Sequence, residues 1–406
     1  MKVVLLNVKY SPNLGDGIIA ECFEHALRAA VPRLDVSSCD LAGRTDFQSR
    51  NPGLRSLVLG VMGMLPSSLR SPALASLVRY QLKSHALDHY RWHLRDADIA
   101  VIGGGQLIAD AGLNFPLKIS SAVEIARQNG ARVAIFGAGV GQHVSGKGKA
   151  LFRAAFDPGL EAVGLRDELS LERWNAMFDT PRASLVHDPG MLASDLYPAE
   201  KRRADRVKPR VGLGITDPNI LRLHADTGEG AHDTDWISRY ADLACTLTGE
   251  GFAVSLFTNG ATNDQSCAAK VYRRIQSRLA DAGDVSLRAR PERPDQLASM
   301  IAGFDAVIAH RLHANIVAFS YGVPHIGLHW DSKMTGFFDG KGRSRYLIGC
   351  DTLSQEEKIV PLLRSALSEG ISPFQLAVAK RSTREAIVRF ANALLGDEHV
   401  AQARAG

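Results

Sequence analysis

Residues 305–333 read DAVIAHRLHANIVAFSYGVPHIGLHWDSK, and the fold class follows from how this stretch divides. AVIA (306–309) is a short apolar run, a helical pattern begins directly after it, and PHIGL (324–328) is a second short apolar run. Continuous apolar strands joined through a helix point to parallel strands covered on both faces. The polar residues gather where each strand ends. The first strand delivers His310, Arg311 and His313 beside a helix N-terminus; the second delivers His329, Asp331 and Lys333. So many ionisable groups at two strand ends are hard to explain by packing, and they mark 310–333 as the candidate reaction centre.

The same alternation extends outward. Apolar runs at 211–215, 253–257 and 285–287 precede it, and an earlier set lies at 3–8, 99–102, 133–136, 162–165 and 185–186, with helical patterns such as 18–30, 117–128 and 168–177 between. The rhythm breaks over 197–208, where PAEKRRADRVK is charged and lacks apolar periodicity; this reads as a linker. The expected architecture is α/β, with two Rossmann-like domains, 1–196 and 209–372, flanking a central cleft. A last helix, 373–396, is expected to pack back across the linker.

Composition narrows the function class. A chain of 406 residues suits two domains, and 45% hydrophobic with 22% charged residues is ordinary for a soluble globular protein. The net charge of +5 is too small for a nucleic-acid binder but suits anionic small ligands or an anionic membrane surface. Cys22, Cys39, Cys245, Cys267 and Cys350 are scattered, an odd set with no CxxC pair, which reads as reduced thiols. The opening MKVVLLNV is interrupted by Lys9 too soon for a signal peptide, and no apolar run is long enough to span a bilayer. A cytoplasmic protein is expected. One segment departs from the pattern: an insertion over 43–95, where between 50 and 95 seven Lys or Arg face a single acid, Asp88, among interleaved apolar residues. It reads either as peripheral contact with the inner face of the membrane or as packing on its own domain or a second subunit.

Four further motifs sit at βα turns. Asn13-Leu14-Gly15-Asp16 follows the first strand, with Asp16 expected to cap the helix opening at Gly17. Gly103-Gly104-Gly105-Gln106 follows IAVI, and its glycines would let backbone approach a sugar or phosphate. FGAGVGQHVSGKGK (136–149) contains GxxxxGK, but Gly148 stands where a phosphate loop needs Ser or Thr, so a glycine-rich cleft loop is preferred over an ATPase. Arg166 in GLRDELS lies at a strand's carboxyl end, with Asp167 free to cap the next helix. The Asp96/Asp98 pair precedes a strand and reads as capping, not as a metal site.

With these residues in hand, the chain resembles the polysaccharide pyruvyl transferase family over roughly residues 3–335. The resemblance rests on the order of Asn13-Leu14-Gly15-Asp16, Gly103-Gly104-Gly105, Gly137-Ala138-Gly139-Val140-Gly141, Arg166-Asp167 with Ser170, Asp188-Pro189, Arg311-Leu312-His313 and Lys333. It implies a GT-B-like fold and transfer of the pyruvyl group of phosphoenolpyruvate to sugar hydroxyls, giving a pyruvate ketal and phosphate. The donor side would be the C-terminal domain. Arg166, Arg311, His313 and Lys333 would bind phosphoenolpyruvate, and Arg311, His313 and Lys333 would carry the chemistry. Asn13, Gly15, Asp16, Gly103, Gly104, Gly105 and Gln106 would line the acceptor side for a sugar, oligosaccharide or lipid-linked saccharide. No metal or resident cofactor is implied.

The residue chemistry leads the same way. Phosphoenolpyruvate carries a phosphate and a carboxylate, which asks for at least two cations, and arginine binds either group bidentately. Protonation of its C3 needs an acid titrating near neutral pH, for which histidine is suited; His310, His313 and Lys333 all qualify by position. The alternative for Arg311 is pairing with an acid such as Asp305 or Asp331. The competing functions are a GT-B nucleotide-sugar glycosyltransferase and a non-catalytic sugar-binding protein.

Overall fold

In a computed structural model of the protein, residues 1–47, 67–110, 112–178, 183–199, 207–224, 235–279, 283–349 and 356–396 are described. Positions 48–66 of the basic insertion and 200–206 of the charged linker lie outside the described residues. Among the described residues there are two six-stranded sheets, every neighbouring pair parallel. The chain clusters into two units: 1–11 with 19–189 and 381–406, and 12–18 with 190–380. Each is a doubly wound Rossmann-like α/β layer structure.

The N-terminal sheet holds β1 (Lys2–Asn7), β2 (Asp35–Asp40), β3 (Ile99–Gly103), β4 (Arg132–Ala138), β5 (Val163–Leu165) and β6 (Ser184–Leu185), in the order β2-β1-β3-β4-β5-β6. Its inner strands are the apolar runs found in the sequence, and β3 is buried throughout. The edge strand β2, DVSSCD, has no apolar signature. It exists because β1 offers a free edge, paired in register from Lys2 with Asp35 to Asn7 with Asp40. Its polar side chains are satisfied locally: Ser38 Oγ accepts from Asn7 Nδ2 at 2.8 Å and donates to Glu24. Phe23 stacks on Phe136 at 4.7 Å between ring centroids, and Phe390, from the helix Pro373–Leu395, packs on the same ring.

The described part of the basic insertion is a helix, Ser67–Gln81, a π-turn, Leu82–Ala86, and a second helix, Leu87–Leu94. It packs on its own unit, where Val78, Leu82, Ala86, Tyr90 and Leu94 join the core and the Tyr90 hydroxyl donates to Leu41 O at 2.6 Å.

The second sheet holds β7 (Arg210–Gly214), β8 (Ala253–Phe257), β9 (Val285–Leu287), β10 (Ala306–Ala309), β11 (His325–Leu328) and β12 (Leu347–Ile348), in the order β12-β11-β10-β7-β8-β9. The winding direction reverses between β7 and β10, which pair from Ala306 with Val211 to Ala309 with Gly214. Sheets of this kind leave a crevice at the carboxyl ends of the strands on either side of such a reversal. The two apolar strands of the 305–333 stretch, β10 and β11, lie side by side. Around them Trp236, Tyr240, Phe319 and Phe338 form a buried aromatic core. Among the described residues no helix is long and apolar enough to cross a membrane.

Candidate active site

At the carboxyl end of β10 the chain turns directly into the helix Leu312–Ser320, with Arg311 at its N-cap position in extended conformation. This is the winding reversal of the second sheet, so the turn projects into the crevice. Asn315, fully buried, holds the turn closed by donating to Ala309 O at 3.1 Å and Arg311 O at 3.0 Å.

Arg311 Nη2 donates to Asp264 Oδ2 at 2.7 Å, and the other oxygen of that fully buried carboxylate accepts from the Asp217 amide at 2.8 Å. Asp264 therefore joins three strand ends. It lies in the first turn of the helix after β8, receives the loop after β7 and clamps the residue after β10. Arg311 Nε is buried and has no hydrogen-bond partner. Sequence reasoning offered Asp305 or Asp331 as partner acids, and both are engaged elsewhere. Asp305 accepts from the Arg210 amide at 2.7 Å, and Asp331 caps the helix Ser332–Gly340 while meeting Lys333 Nζ at 2.8 Å. Nothing in the sequence singled out Asp264; an acid in a helix's first turn is common enough to be unremarked.

The Asn13–Asp16 turn belongs to this second unit. Leu14 N donates to Asn259 O at 2.8 Å, Asn259 Nδ2 donates to Asn13 Oδ1 at 3.3 Å, and Asp16 Oδ1 lies 3.6 Å from His313 Nδ1. A Cβ on Gly15 would lie 2.4 Å from His313 Cβ and 2.5 Å from its Nδ1. Only glycine lets this turn lie against the imidazole. The helix begins at Leu14 and not at Gly17, so Asp16 sits inside its first turn and faces His313 instead of serving as the N-cap.

His310 and His313, three residues apart, are both buried but meet different neighbours. His310 is fully buried, its Nδ1 meets the Tyr240 hydroxyl at 2.8 Å, its carbonyl accepts from Trp330 Nε1 at 2.6 Å, and Trp236 packs edge-on. Burial, helped by Arg311, lowers its pKa to about 3. A neutral imidazole of that kind is no proton donor at pH 7, which leaves His313 and Lys333. Lys333 is held by Asp331 and lies 4.6 Å from the centre of the Trp330 ring. His329 Nε2 meets Thr335 Oγ1 at 3.2 Å.

Arg166 lies in the N-terminal unit, after β5, and its side chain is nearly buried. Its Nε donates to Asp167 Oδ2 at 3.2 Å, and Nη1 lies 3.9 Å from Asp188 Oδ2. Asp167 also caps the next helix through Ser170 N at 2.7 Å. The glycine loops are built around this arginine. A Cβ on Gly139 would lie 2.7 Å from Arg166 Nη2. Gly139 N donates to Gly105 O at 2.8 Å and Ile108 N to Gly139 O at 3.2 Å, zipping the 103–108 and 137–141 loops together. Gly104 and Gly105 both take positive φ, which glycine alone adopts without strain. Gln106 lies against Gly141. The GxxxxGK segment forms no phosphate cradle: Ser145 caps the helix Gly146–Phe156, and the Asp110 carboxylate occupies the position an anion would need, accepting from Ser145 N at 3.1 Å. Asp98 accepts from the Lys2 amide at 2.6 Å, closing a strand end and not a helix, and Asp96 pairs with Arg95.

The structure thus gathers Asn13–Asp16, Arg311, His313 and Lys333 in one unit, and Arg166 with Gly103–Gly105 and Gln106 in the other. Comparison with known proteins supplies the next constraint. The family described as Polysaccharide pyruvyl transferase matches residues 13–332. No curated protein sequence matches the chain. Among solved structures, it is similar to the S. aureus MnaA–UDP co-structure (TM-score 0.56, 10% identity, covering 97% of this chain and 96% of that one). It is also similar to the Methanocaldococcus jannaschii UDP-GlcNAc 2-epimerase in complex with UDP-GlcNAc and UDP (0.53, 12%, 96% and 98%). Trehalose-6-phosphate synthase OtsA is a third (0.58, 10%, 98% and 99%). At such identities the likeness is one of fold: two Rossmann-like units, as in GT-B enzymes and epimerases.

Proposed function

The chain belongs to the polysaccharide pyruvyl transferase family, and from that premise we propose that it moves the pyruvyl group of phosphoenolpyruvate onto two hydroxyls of a sugar, oligosaccharide or lipid-linked saccharide. The observation that carries this reading is the Arg311 turn, where a guanidinium clamped through Nη2 by Asp264 keeps a buried, unpartnered Nε two residues from His313. Clamping at one nitrogen fixes the plane of the group, and a planar fork of that kind suits the donor's carboxylate or phosphate.

In this reading His313 protonates C3 of the donor, which makes C2 electrophilic. The first sugar hydroxyl adds at C2, the C2–O bond to phosphate breaks, and the second hydroxyl closes the ketal. The two hydroxyl protons balance the one taken up at C3 and the one that leaves with phosphate. The Asp16 carboxylate, 3.6 Å from His313 Nδ1, is placed to orient the imidazole. Lys333 supplies further positive charge for the donor, and no step calls for a metal or resident cofactor.

The test is ligand choice followed by mutation. Phosphoenolpyruvate, and not UDP or UDP-GlcNAc (the ligands named for two of the neighbours), should raise the melting temperature, and acceptor should trigger phosphate release. Arg311→Lys keeps a charge beside Asp264 but loses the fork, so kcat/KM for phosphoenolpyruvate should fall about ten- to a hundred-fold with the melting temperature little changed. Stabilisation by UDP-sugars alone would move the protein to the glycosyltransferases. Binding of saccharide with no turnover of either donor would make it a sugar-binding protein.

A further inference from the structure

The helical insertion ahead of β3 carries a feature the catalytic reading does not use. From Val78 on, its buried residues fall four apart, at Val78, Leu82, Ala86, Tyr90 and Leu94. On an uninterrupted α-helix, residues four apart drift by about 40° per step, so such a row would wind off the core face. The π-turn Leu82–Ala86 inserts one residue and takes back about 100° of that drift. The row therefore stays on one side.

The same correction aligns the residues that follow each buried position. The next row reads Arg79, Lys83, Leu87, Arg91 and Arg95, its four cations all exposed. The row beside it reads Tyr80, Ser84, Asp88, Trp92 and Asp96, with Tyr80 71% and Trp92 63% exposed. Arg91 pairs with Asp88 and Arg95 with Asp96, but these are exposed contacts that salt and competing anions displace. Arg95 also lies 5.9 Å from the Trp92 ring.

We propose that this face, Arg79, Lys83, Arg91 and Arg95 flanked by Tyr80 and Trp92, is a docking surface for an anionic lipid bilayer. Charge complementarity supplies the attraction, and tyrosine and tryptophan are the side chains that settle at a headgroup boundary, apolar body inward and polar tip in water. An exposed row of cations alone would suit any polyanion; exposed aromatics beside it favour lipid. The inference does not depend on the donor chemistry.

Tryptophan emission provides a direct readout, because Trp174, Trp236 and Trp330 are buried and Trp92 alone of the four tryptophans is exposed. The full chain is mixed with vesicles of phosphatidylcholine containing 30% phosphatidylglycerol, or of phosphatidylcholine alone. Binding should require the anionic lipid, weaken as salt rises, shift Trp92 emission to the blue and expose it to quenching by brominated lipid. Changing Arg79, Lys83, Arg91 and Arg95 together to Gln should reduce binding by about fivefold per charge removed, with phosphate release from soluble acceptor unchanged. Trp92→Phe should abolish the emission shift while leaving salt-dependent sedimentation. The proposal is overturned if wild type ignores anionic vesicles, if the Gln variant binds as tightly, if the protein sediments with Trp92 emission unmoved, or if it binds RNA but not vesicles.

Discussion

Gly15 is where one residue's missing side chain decides the position of another. A methyl there would sit well inside contact distance of His313, and the Asp16 carboxylate lies 3.6 Å from the same imidazole. Gly15→Ala should therefore displace His313 by the better part of an ångström, lowering kcat by about a hundredfold and stability by about 1–3 kcal/mol. Gly146, in a helix's first turn with nothing near its would-be Cβ, is the control: Gly146→Ala should leave activity intact and stabilise by about 0.5–1 kcal/mol. Equal behaviour of the two variants in a thermal melt and a phosphate-release assay would remove the steric argument. The sequence displayed Arg311 and His313 because they are unusual at a strand end. It could not display Asp264, whose role depends on three loops meeting, nor separate His313 from His310, since both follow the same apolar strand and a three-residue offset does not say which neighbours each ring meets.

At the scale of elements, the helix Pro373–Leu395 does more than close the chain. Its first part clusters with the second unit, where Lys380 Nζ meets Asp195 at 2.9 Å, and residues from 381 on cluster with the first. There Phe390 lies 4.7 Å from Phe136 and 6.3 Å from Phe23, and Arg132 Nη2 donates to Leu394 O at 2.8 Å. The N-terminal unit is completed by residues from the far end of the sequence. Phe390→Ala should cost that unit about 3–5 kcal/mol, seen as an earlier phase in urea unfolding followed by tyrosine and tryptophan fluorescence. A midpoint unchanged from wild type would show that the terminal helix only rests on the sheet. Element types were legible because apolar runs and helical patterns have different periods; β8, β9, β10 and β11 fall where those runs are. β2 was not legible, because DVSSCD is a strand only by virtue of the edge it pairs with.

For the molecule as a whole, acid sensitivity follows from two buried imidazoles. His310 and His325 both have pKa values lowered from 6.5 to about 3, in each case chiefly by burial. A folded value below the unfolded one means that, between these limits, the unfolded chain holds a proton the folded chain does not. The contribution of these two histidines is therefore flat above about pH 7 and falls as pH drops from 6.5 toward 3, by up to about 1.4 kcal/mol per pH unit for each. Urea midpoints measured at pH 7, 6 and 5 should fall accordingly, and in His325→Phe the slope should decrease by about one proton's worth; an identical slope would mean that His325 is protonated in the folded state. By itself the sequence determined the α/β class, the parallel sheets and the strand ends where the candidate site lies, because apolar runs and periodicity are local properties of a chain. The tertiary structure alone decided that the Asn13–Asp16 turn lies against His313, that Asp264 holds Arg311, that His310 is neutral, and that a π-turn lines up four cations on one face. Each of these depends on burial, or on residues distant along the chain being brought together or into register, and neither is written in any one stretch of sequence.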